Sequence, residues 1–132
     1  MAKGRRDYTW GFLNEAAQEG RFMAHFGALF NGDVAPGPGV QLYDYTMPAG
    51  YRRSISRIQI INGTDLGNAI YIKVAGQTKF FAYFDSELIA SLSETETVYW
   101  SAGEELTITV INQAAETIAF YGYIMGTVES MT

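Results

Sequence analysis

The residues that most often carry out acid–base or nucleophilic chemistry are few in this 132-residue chain. His25 is its only histidine, and it has no cysteine. A Ser-His-Asp triad or a histidine-ligated metal site would therefore depend on this one imidazole, and thiolate chemistry is excluded. His25 also lies among Phe22, Met23 and Phe26, which favours a packed or interfacial role over catalysis.

Acidic residues occur close together in sequence at three places, which matters because glycoside hydrolysis needs two carboxyl groups at a set separation. Residues two apart share one side of a strand, so such pairs could also converge on a calcium ion. However, these acids lie at segment ends among serine and threonine, where solvated carboxylates are expected, and no loop has EF-hand spacing. The sequence therefore predicts no enzyme, no cofactor and no metal site. The pairs are Asp85 and Glu87, Glu94 and Glu96, and Glu104 and Glu105.

Basic residues form two clusters, one of Lys3, Arg5 and Arg6 and one of Arg52, Arg53 and Arg57. Basic groups beside aromatic residues can bind nucleic acid, but the net charge of −5 opposes such a partner. The charge is also asymmetric, since eight acidic residues and no lysine or arginine follow residue 79. We therefore favour docking of the basic clusters onto an acidic protein surface.

Apolar residues between 12 and 30 recur at steps of three and four, which predicts a helical stretch despite Gly20 and Gly27. Residues 31–39 contain two prolines and three glycines, which is typical of a linker. These patterns predict two regions. Residues 1–39 form a partly helical N-terminal arm with its Pro/Gly linker, and residues 40–132 form a folded domain.

After residue 39 the apolar period changes from helical to alternating, which predicts about seven short strands. No helix of crossover length separates them, so the fold class is mainly β, an antiparallel β-sandwich or jelly roll of seven to eight strands. Residues 85–93 fit either a short helix or an irregular strand. The strands are expected at residues 41–46, 54–61, 70–74, 78–84, 97–100, 106–110 and 118–125.

Residues 47–129 resemble a type of small bacteriophage virion protein. The resemblance rests on Met-Pro-Ala-Gly-Tyr at 47–51 and on the strand-like segments 55–62 and 69–76. It continues through Trp-Ser-Ala-Gly-Glu-Glu-Leu-Thr-Ile-Thr-Val-Ile-Asn at 100–112 and a closing strand at 118–128. It implies a jelly-roll module without an active site that decorates or cements a capsid, often as a trimer. The N-terminal arm has no counterpart in that pattern.

We therefore expect a structural virion protein, made in the host cytoplasm, whose partners are the major capsid protein, other virion proteins and further copies of itself, with a trimer favoured. The chain has no apolar run long enough to span a membrane and no secretory signal, so no membrane partner is expected. The alternative is a carbohydrate- or receptor-binding β-sandwich module of a phage head fibre or tail. Tyr71, Tyr121 and Tyr123, on the outward phase of their strands, would stack on sugar rings in that case.

The arm is expected to bury its aromatic residues against a neighbouring chain, with its arginines setting orientation and salt dependence. Deletion of residues 1–34 would then leave the sandwich folded and abolish attachment. The second arginine cluster is the next docking surface. The predicted partner-binding residues are Arg5, Arg6, Trp10, Phe12, Phe22, Phe26 and Phe30 in the arm, and Arg52, Arg53 and Arg57 in the sandwich.

Overall fold

A computed structural model describes residues 3–10, 23–62 and 67–130, and these residues form ten β-strands and no helix. The segment 85–93, for which the sequence left two alternatives, contains a strand. The strands are β1 (Lys3–Trp10), β2 (Met23–Val34), β3 (Val40–Thr46), β4 (Tyr51–Asn62), β5 (Asn68–Val74), β6 (Gln77–Phe84), β7 (Glu87–Ser91), β8 (Val98–Ser101), β9 (Glu105–Asn112) and β10 (Ile118–Ser130).

The strands form two antiparallel sheets that pack into a sandwich. The six-stranded sheet has the order β1-β2-β10-β4-β7, with β8 also paired to β4, and the four-stranded sheet has the order β3-β9-β5-β6. The orders β2-β10-β4-β7 and β3-β9-β5-β6 are those of a jelly roll, in which the chain passes repeatedly between the sheets. The predicted fold class is confirmed.

The core is filled by the alternating apolar positions of both sheets. On β10, Phe120 and Ile124 face the core, while Tyr121 and Tyr123 face outward. On β9, Leu106 and Ile108 also face the core. One tight hairpin, between β5 and β6, turns through two residues with positive φ, Ala75 at 51° and Gly76 at 82°. Two left-handed residues in succession match the twist of the adjoining strands.

The pairing of β2 with β10 depends on matched side-chain size. Phe30 lies opposite Gly122, and Phe26 lies opposite Gly126. Further along the pair the aromatic residue is on β10 and the glycine on β2, where Phe120 lies opposite Gly32. The ring of Phe30 fills the space that Gly122 leaves on the inner face of the sheet, whereas Gly126 lies against the backbone of Ser54 on β4.

The prediction of a helix over residues 12–30 is wrong for its described part, because residues 23–30 belong to strand β2. The rest of that helix lies outside the described residues. Phe26 and Phe30 are four residues apart, and this spacing puts two side chains on one face of a helix and equally on one face of a strand. Pairing of β2 along its whole length with β10 decides for the strand.

The boundary at residue 39 also needs correction, because β2 lies inside the six-stranded sheet, between β1 and β10. Phe26 and Phe30 are 0% and 1% exposed and belong to the core of this same chain, so they are not available to a partner. Deletion of residues 1–34 would remove an inner strand, and we now expect it to unfold the sandwich.

The Pro/Gly segment is an anchored connection between the two sheets. The buried side chain of Asn112 donates hydrogen bonds from Nδ2 to the carbonyl oxygens of Val34 (2.8 Å) and Glu116 (2.7 Å). Its Oδ1 accepts a hydrogen bond from the backbone N–H of Ala114 (2.8 Å), and Pro36 forms a bridge with Asn112. One amide therefore holds the end of β2 against the loop between β9 and β10.

Two glycines of β10 provide a test of this close packing, Gly122 against Phe30 of β2 and Gly126 against the backbone of β4. A Cβ atom at Gly126 would overlap the backbone carbonyl of Ser54, and one at Gly122 would overlap the ring of Phe30. We expect Gly126→Ala to lower the free energy of unfolding by about 2 kcal/mol or more, because backbone cannot move aside as a side chain can. Chemical denaturation would measure this change.

Two further variants make the test specific. Gly122→Ala should be partly rescued by Phe30→Leu in the double variant, since the smaller side chain frees space for the added methyl group. Gly67→Ala is the matched control, because its Cβ would meet only the flexible end of the Gln113 side chain at 3.3 Å. Equal loss of stability in all three alanine variants would contradict the size-matching explanation.

Candidate functional site

The predicted arm residues do not form one docking surface. The backbones of Arg5, Arg6 and Trp10 lie in β1, opposite Phe30, Leu29 and His25 of β2. Phe12 and Phe22 lie outside the described residues, and Phe26 and Phe30 are core residues, as described above. The arm as a partner-binding element therefore stays a prediction only for the residues before β2.

The second arginine cluster is divided between the inside and the outside of the sandwich. Arg52 is half-buried, forms an ion pair with Glu129 on β10 and lies 5.0 Å from the ring centre of Tyr99. Arg57 is exposed on the outer face, opposite Met125. Only these two arginines of the cluster are available for docking, and Arg52 already has an acidic partner.

Arg53 is buried and is removed from the predicted docking surface. It is 8% exposed, and its guanidinium carbon lies 4.2 Å from the ring centres of both Phe26 and Tyr45. These two residues come from different sheets, so Arg53 links the sheets by two cation–π contacts. Its cross-strand neighbour Trp100 on β8 is fully buried and lies edge-on to Phe26 at 6.0 Å.

The outer face of the six-stranded sheet carries a band of exposed and half-buried apolar side chains, which we call the apolar face. Its residues are outward positions of four neighbouring strands, and several lie directly opposite each other in the register, as Tyr123 lies opposite Leu29 and Tyr121 opposite Ile61. Ile89 on β7 is 51% exposed in the single chain. The apolar face consists of Leu29, Ile61, Ile89, Tyr121, Tyr123 and Met125.

The outer face of the four-stranded sheet carries a different surface, the aromatic cluster of Tyr71, Phe81 and Tyr83. Phe81 lies opposite Tyr71 in the register, and the rings of Phe81 and Tyr83 meet edge-on at 4.9 Å. Phe81 and Tyr83 are 47% and 72% exposed, and the Lys73 ammonium lies 5.4 Å from the Tyr71 ring centre. The predicted outward direction of Tyr71, Tyr121 and Tyr123 agrees with the register, but Tyr71 lies on the opposite sheet from the other two.

A groove of about 580 Å³ lies beside the aromatic cluster, between the edge strand β6 and the β7–β8 connection with β8. Phe81 contributes to both surfaces, so the aromatic cluster continues around the sheet edge into the groove. Apolar rings and charged groups line the same space, as in sites that orient a polar ligand against aromatic surfaces. The lining residues are Lys79, Phe80, Phe81, Thr95, Glu96, Thr97, Val98 and Tyr99.

Glu96 at the rim of this groove closes a tight turn with Ser93. The backbone N–H of Ser93 donates a hydrogen bond to Glu96 Oε1 (3.1 Å), and the Glu96 N–H donates one to the Ser93 carbonyl (3.0 Å). Hydrogen bonds from the side chain and then the backbone of Ser93 lower the pKa of the Glu96 carboxyl below its ordinary value. A carboxylate is therefore held at the groove at neutral pH.

The carboxylate pairs and His25 do not assemble into a reactive site in the described part of the chain. No group of three or more His, Asp and Glu residues there could hold a metal ion. His25 is exposed on β2 opposite Thr127. Within the same residues, no helix is long and apolar enough to cross a membrane.

Sequence reasoning missed the apolar face and the groove. Leu29 lies in a segment that was predicted to be helical, and Ile89 lies in one whose secondary structure was left undecided. The side of the sheet that each residue faces could therefore not be predicted. The groove joins residues of β6 and β8 that are far apart in sequence. The alternation of Phe81 and Tyr83 with Phe80, Ala82 and Phe84 was the one available indication that β6 has aromatic residues on both faces.

No family model and no curated protein matches this chain. Among solved structures, a pilus protein of Bacillus endospore appendages is similar at 12% identity, with 83% of this chain and 88% of that chain covered and a TM-score of 0.49. The CBM36-1 domain of a xylanase from the hindgut metagenome of Trinervitermes trinervoides is similar at 11% identity, with coverage of 97% and 95% and a TM-score of 0.41. A carbohydrate-binding module CBM36 solved with calcium and xylotriose matches at 8% identity, with coverage of 97% and 98% and a TM-score of 0.39. At these identities and TM-scores the similarities indicate nothing about the ligand or partner of this chain.

The turn at the groove gives a prediction about pH. Because the pKa of Glu96 is lowered in the folded state, its carboxylate stabilises the turn above the ordinary pKa, and this contribution is lost as the pH falls through the lowered value. We expect Ser93→Ala to raise the pKa of Glu96 partway towards its ordinary value, since the backbone hydrogen bond remains. An NMR titration of the side-chain carboxyl carbon would measure it, with Ser91→Ala as the control. An unchanged Glu96 titration in Ser93→Ala would contradict the assignment.

Proposed function

We propose that the protein is a non-enzymatic structural protein that assembles with other protein chains through its apolar face. The observation that supports this most directly is the set of large apolar side chains left exposed side by side on the six-stranded sheet. Contiguous exposed apolar surface on a soluble domain commonly marks an interaction site. A sheet face that is apolar at its centre and charged at its margins has the composition of a protein interface.

The charges beside the apolar face favour further copies of the same chain as occupants. Arg57 and Ile61 lie on β4 on either side of Gln59. Glu87 of β7 pairs with Ile61, so the arginine and the glutamate lie at opposite ends of this segment. An antiparallel face-to-face arrangement of two copies would bring the arginine of each near the glutamate of the other. A self-complementary patch of this kind is what a symmetric oligomer requires.

The more specific form of the proposal is a capsid decoration or cement protein of a bacteriophage. It depends on the resemblance of residues 47–129 to small phage virion proteins and on a jelly roll that could present one face to the shell and the other to solvent. Its partners would be the major capsid protein or other virion proteins, and its location would be the virion. Many weak contacts, repeated by symmetry, would then add up to tight attachment.

Substitution of Ile89 tests the assembly surface. We expect Ile89→Lys to weaken self-association by about 100-fold or more, because it removes buried apolar area and places a charge in the interface. Sedimentation equilibrium over a range of concentrations would give the dissociation constant. Tyr83→Lys is the matched control, since it introduces the same charge at an exposed apolar position of the other sheet.

The two parts of the proposal fail in different ways. A wild-type chain that is monomeric up to high micromolar concentration would exclude self-association. The decoration role would be tested by co-sedimentation of the protein with purified capsids and by their rupture temperature with and without it. Capsids that neither bind the protein nor change in rupture temperature would exclude decoration, whatever the oligomeric state.

A second candidate function is carbohydrate binding at the aromatic cluster and the adjoining groove. The exposed rings of Phe81 and Tyr83 could stack on sugar rings, while Lys79 and Glu96 could form hydrogen bonds with hydroxyl groups. The open groove could admit an extended chain. This surface lies on the opposite sheet from the apolar face, so the two functions would be compatible in one protein.

A glycan array followed by titration calorimetry tests this candidate. If a glycan binds, Phe81→Ala and Tyr83→Ala should each weaken it by about tenfold through loss of ring stacking. Tyr121→Ala, an exposed tyrosine on the other sheet, should leave binding unchanged. An array without signal, or an equal effect of all three variants, would exclude the aromatic cluster as a sugar site.

A further inference from the structure

Three hydrogen-bond donors are buried at one end of the sandwich without an acceptor. Nε and Nη1 of Arg53 and Nε1 of Trp100 have no hydrogen-bond partner among the described residues. Arg53 and Trp100 are cross-strand neighbours whose side chains both enter the core, so their Cβ atoms are about 5 Å apart. Buried donors are nearly always paired in folded proteins, and three neighbouring exceptions require an explanation.

The charge of Arg53 makes the missing acceptor more significant. A guanidinium stays protonated in proteins, so burial cannot be relieved by loss of a proton. No carboxylate of the described residues forms an ion pair with it, since the acid nearest in register, Glu129, pairs with Arg52. The rings of Phe26 and Tyr45 compensate part of the charge but accept no in-plane hydrogen bond.

The two rings also determine where an acceptor can bind. Both ring centres lie 4.2 Å from the guanidinium carbon, so an acceptor has to approach Arg53 from a direction that the two rings leave open. Both two-bond edges of a guanidinium include Nη2, so a planar carboxylate pairs with Nη2 together with either Nε or Nη1 of Arg53. The indole N–H of Trp100 can supply a third donor to such a group, and 8% of Arg53 remains exposed towards solvent.

We propose that Arg53 and Trp100 form a binding site for a carboxylate at this end of the sandwich. The carboxylate comes either from a small free anion or from a peptide, as its C-terminus or an acidic side chain. Neither the apolar face nor the aromatic cluster contains these residues, so this site does not depend on the proposed function. It replaces the predicted role of Arg53 in surface docking with the capture of a single acidic group.

NMR on the full-length protein tests the proposal directly. Formate and acetate would be titrated at constant ionic strength against sodium chloride, with the Arg53 Nε–H and Trp100 Nε1–H resonances as readouts. We expect both resonances to shift saturably with the carboxylates and not with chloride. Peptides with a free C-terminus, with the same C-terminus amidated, and with an internal glutamate would distinguish the possible sources.

Two variants separate binding from structure. Trp100→Phe retains the apolar ring and removes one donor, and it should weaken carboxylate binding by about tenfold. Arg53→Lys should abolish the saturable shift of the indole resonance, since the planar fork is lost. Gln59→Ala is the control on the outer face of the same strand.

The direct titration decides the matter even if the variants fold poorly. The absence of a saturable shift in the wild-type protein would overturn the proposal and mean that water or the chain itself satisfies these donors. Equal shifts with chloride would overturn it as well, because they would indicate general anion screening. Undiminished binding in folded Trp100→Phe and Arg53→Lys would place the carboxylate elsewhere.

Discussion

The pairing of β2 with β10 is the interaction on which the rest of the sandwich depends. β10 is the one strand that connects the N-terminal strands β1 and β2 to β4, so the six-stranded sheet divides in two without it. In this pairing the ring of Phe30 fills the space that Gly122 leaves, and Phe26 lies opposite Gly126 in the register. Such pairing gains apolar burial from the aromatic rings and avoids the overlap that a second large side chain would cause.

Phe26 of β2 also forms part of the surroundings of Arg53. Phe26 lies opposite Gly126 in the register, and its ring lies against the guanidinium, as does the ring of Tyr45 from the other sheet. The edge-on contact of Trp100 with Phe26 completes an aromatic layer across the end of the core. A cation in this layer holds the two sheets in one relative position, since its two ring contacts come from different sheets. Its unpaired donors follow from this arrangement, because the rings leave no acceptor beside it.

The fold could be predicted from the sequence wherever the alternation was long and unambiguous. The strands at 54–61, 106–110 and 118–125 were found because β-branched and aromatic residues alternate with polar ones over several positions. Residues 23–30 were misassigned because the four-residue spacing of Phe26 and Phe30 satisfies both the helical and the strand period, and the intervening Ala28 is too small to indicate a strand. Gly27, which disfavours a helix, was the available evidence against it.

The candidate surfaces were less predictable, because each needs residues that only the sheet order brings together. The groove combines β6 with β8, and the apolar face combines β2, β10, β4 and β7. Local alternation gives the face of a residue within its strand, but it does not give the strand beside it. The direction of a side chain within its strand could be predicted, as Arg52 and Arg53 show. Adjacent residues of a strand point to opposite faces, so one of these two arginines had to face the core.

A single bulge on β4 determines which arginines of the second cluster are buried. The register with β10 shifts so that Arg57 pairs with Met125 and Ile55 with Gly126, which leaves Ser56 unpaired between them. Its carbonyl instead accepts a hydrogen bond from the Leu92 N–H (2.7 Å) beyond the end of β7. Without the extra residue, alternation would place residues 53, 55 and 57 on the same inner face. The bulge keeps Arg53 and Ile55 in the core and turns Arg57 outward, so one inserted serine separates a buried donor cluster from the margin of the apolar face.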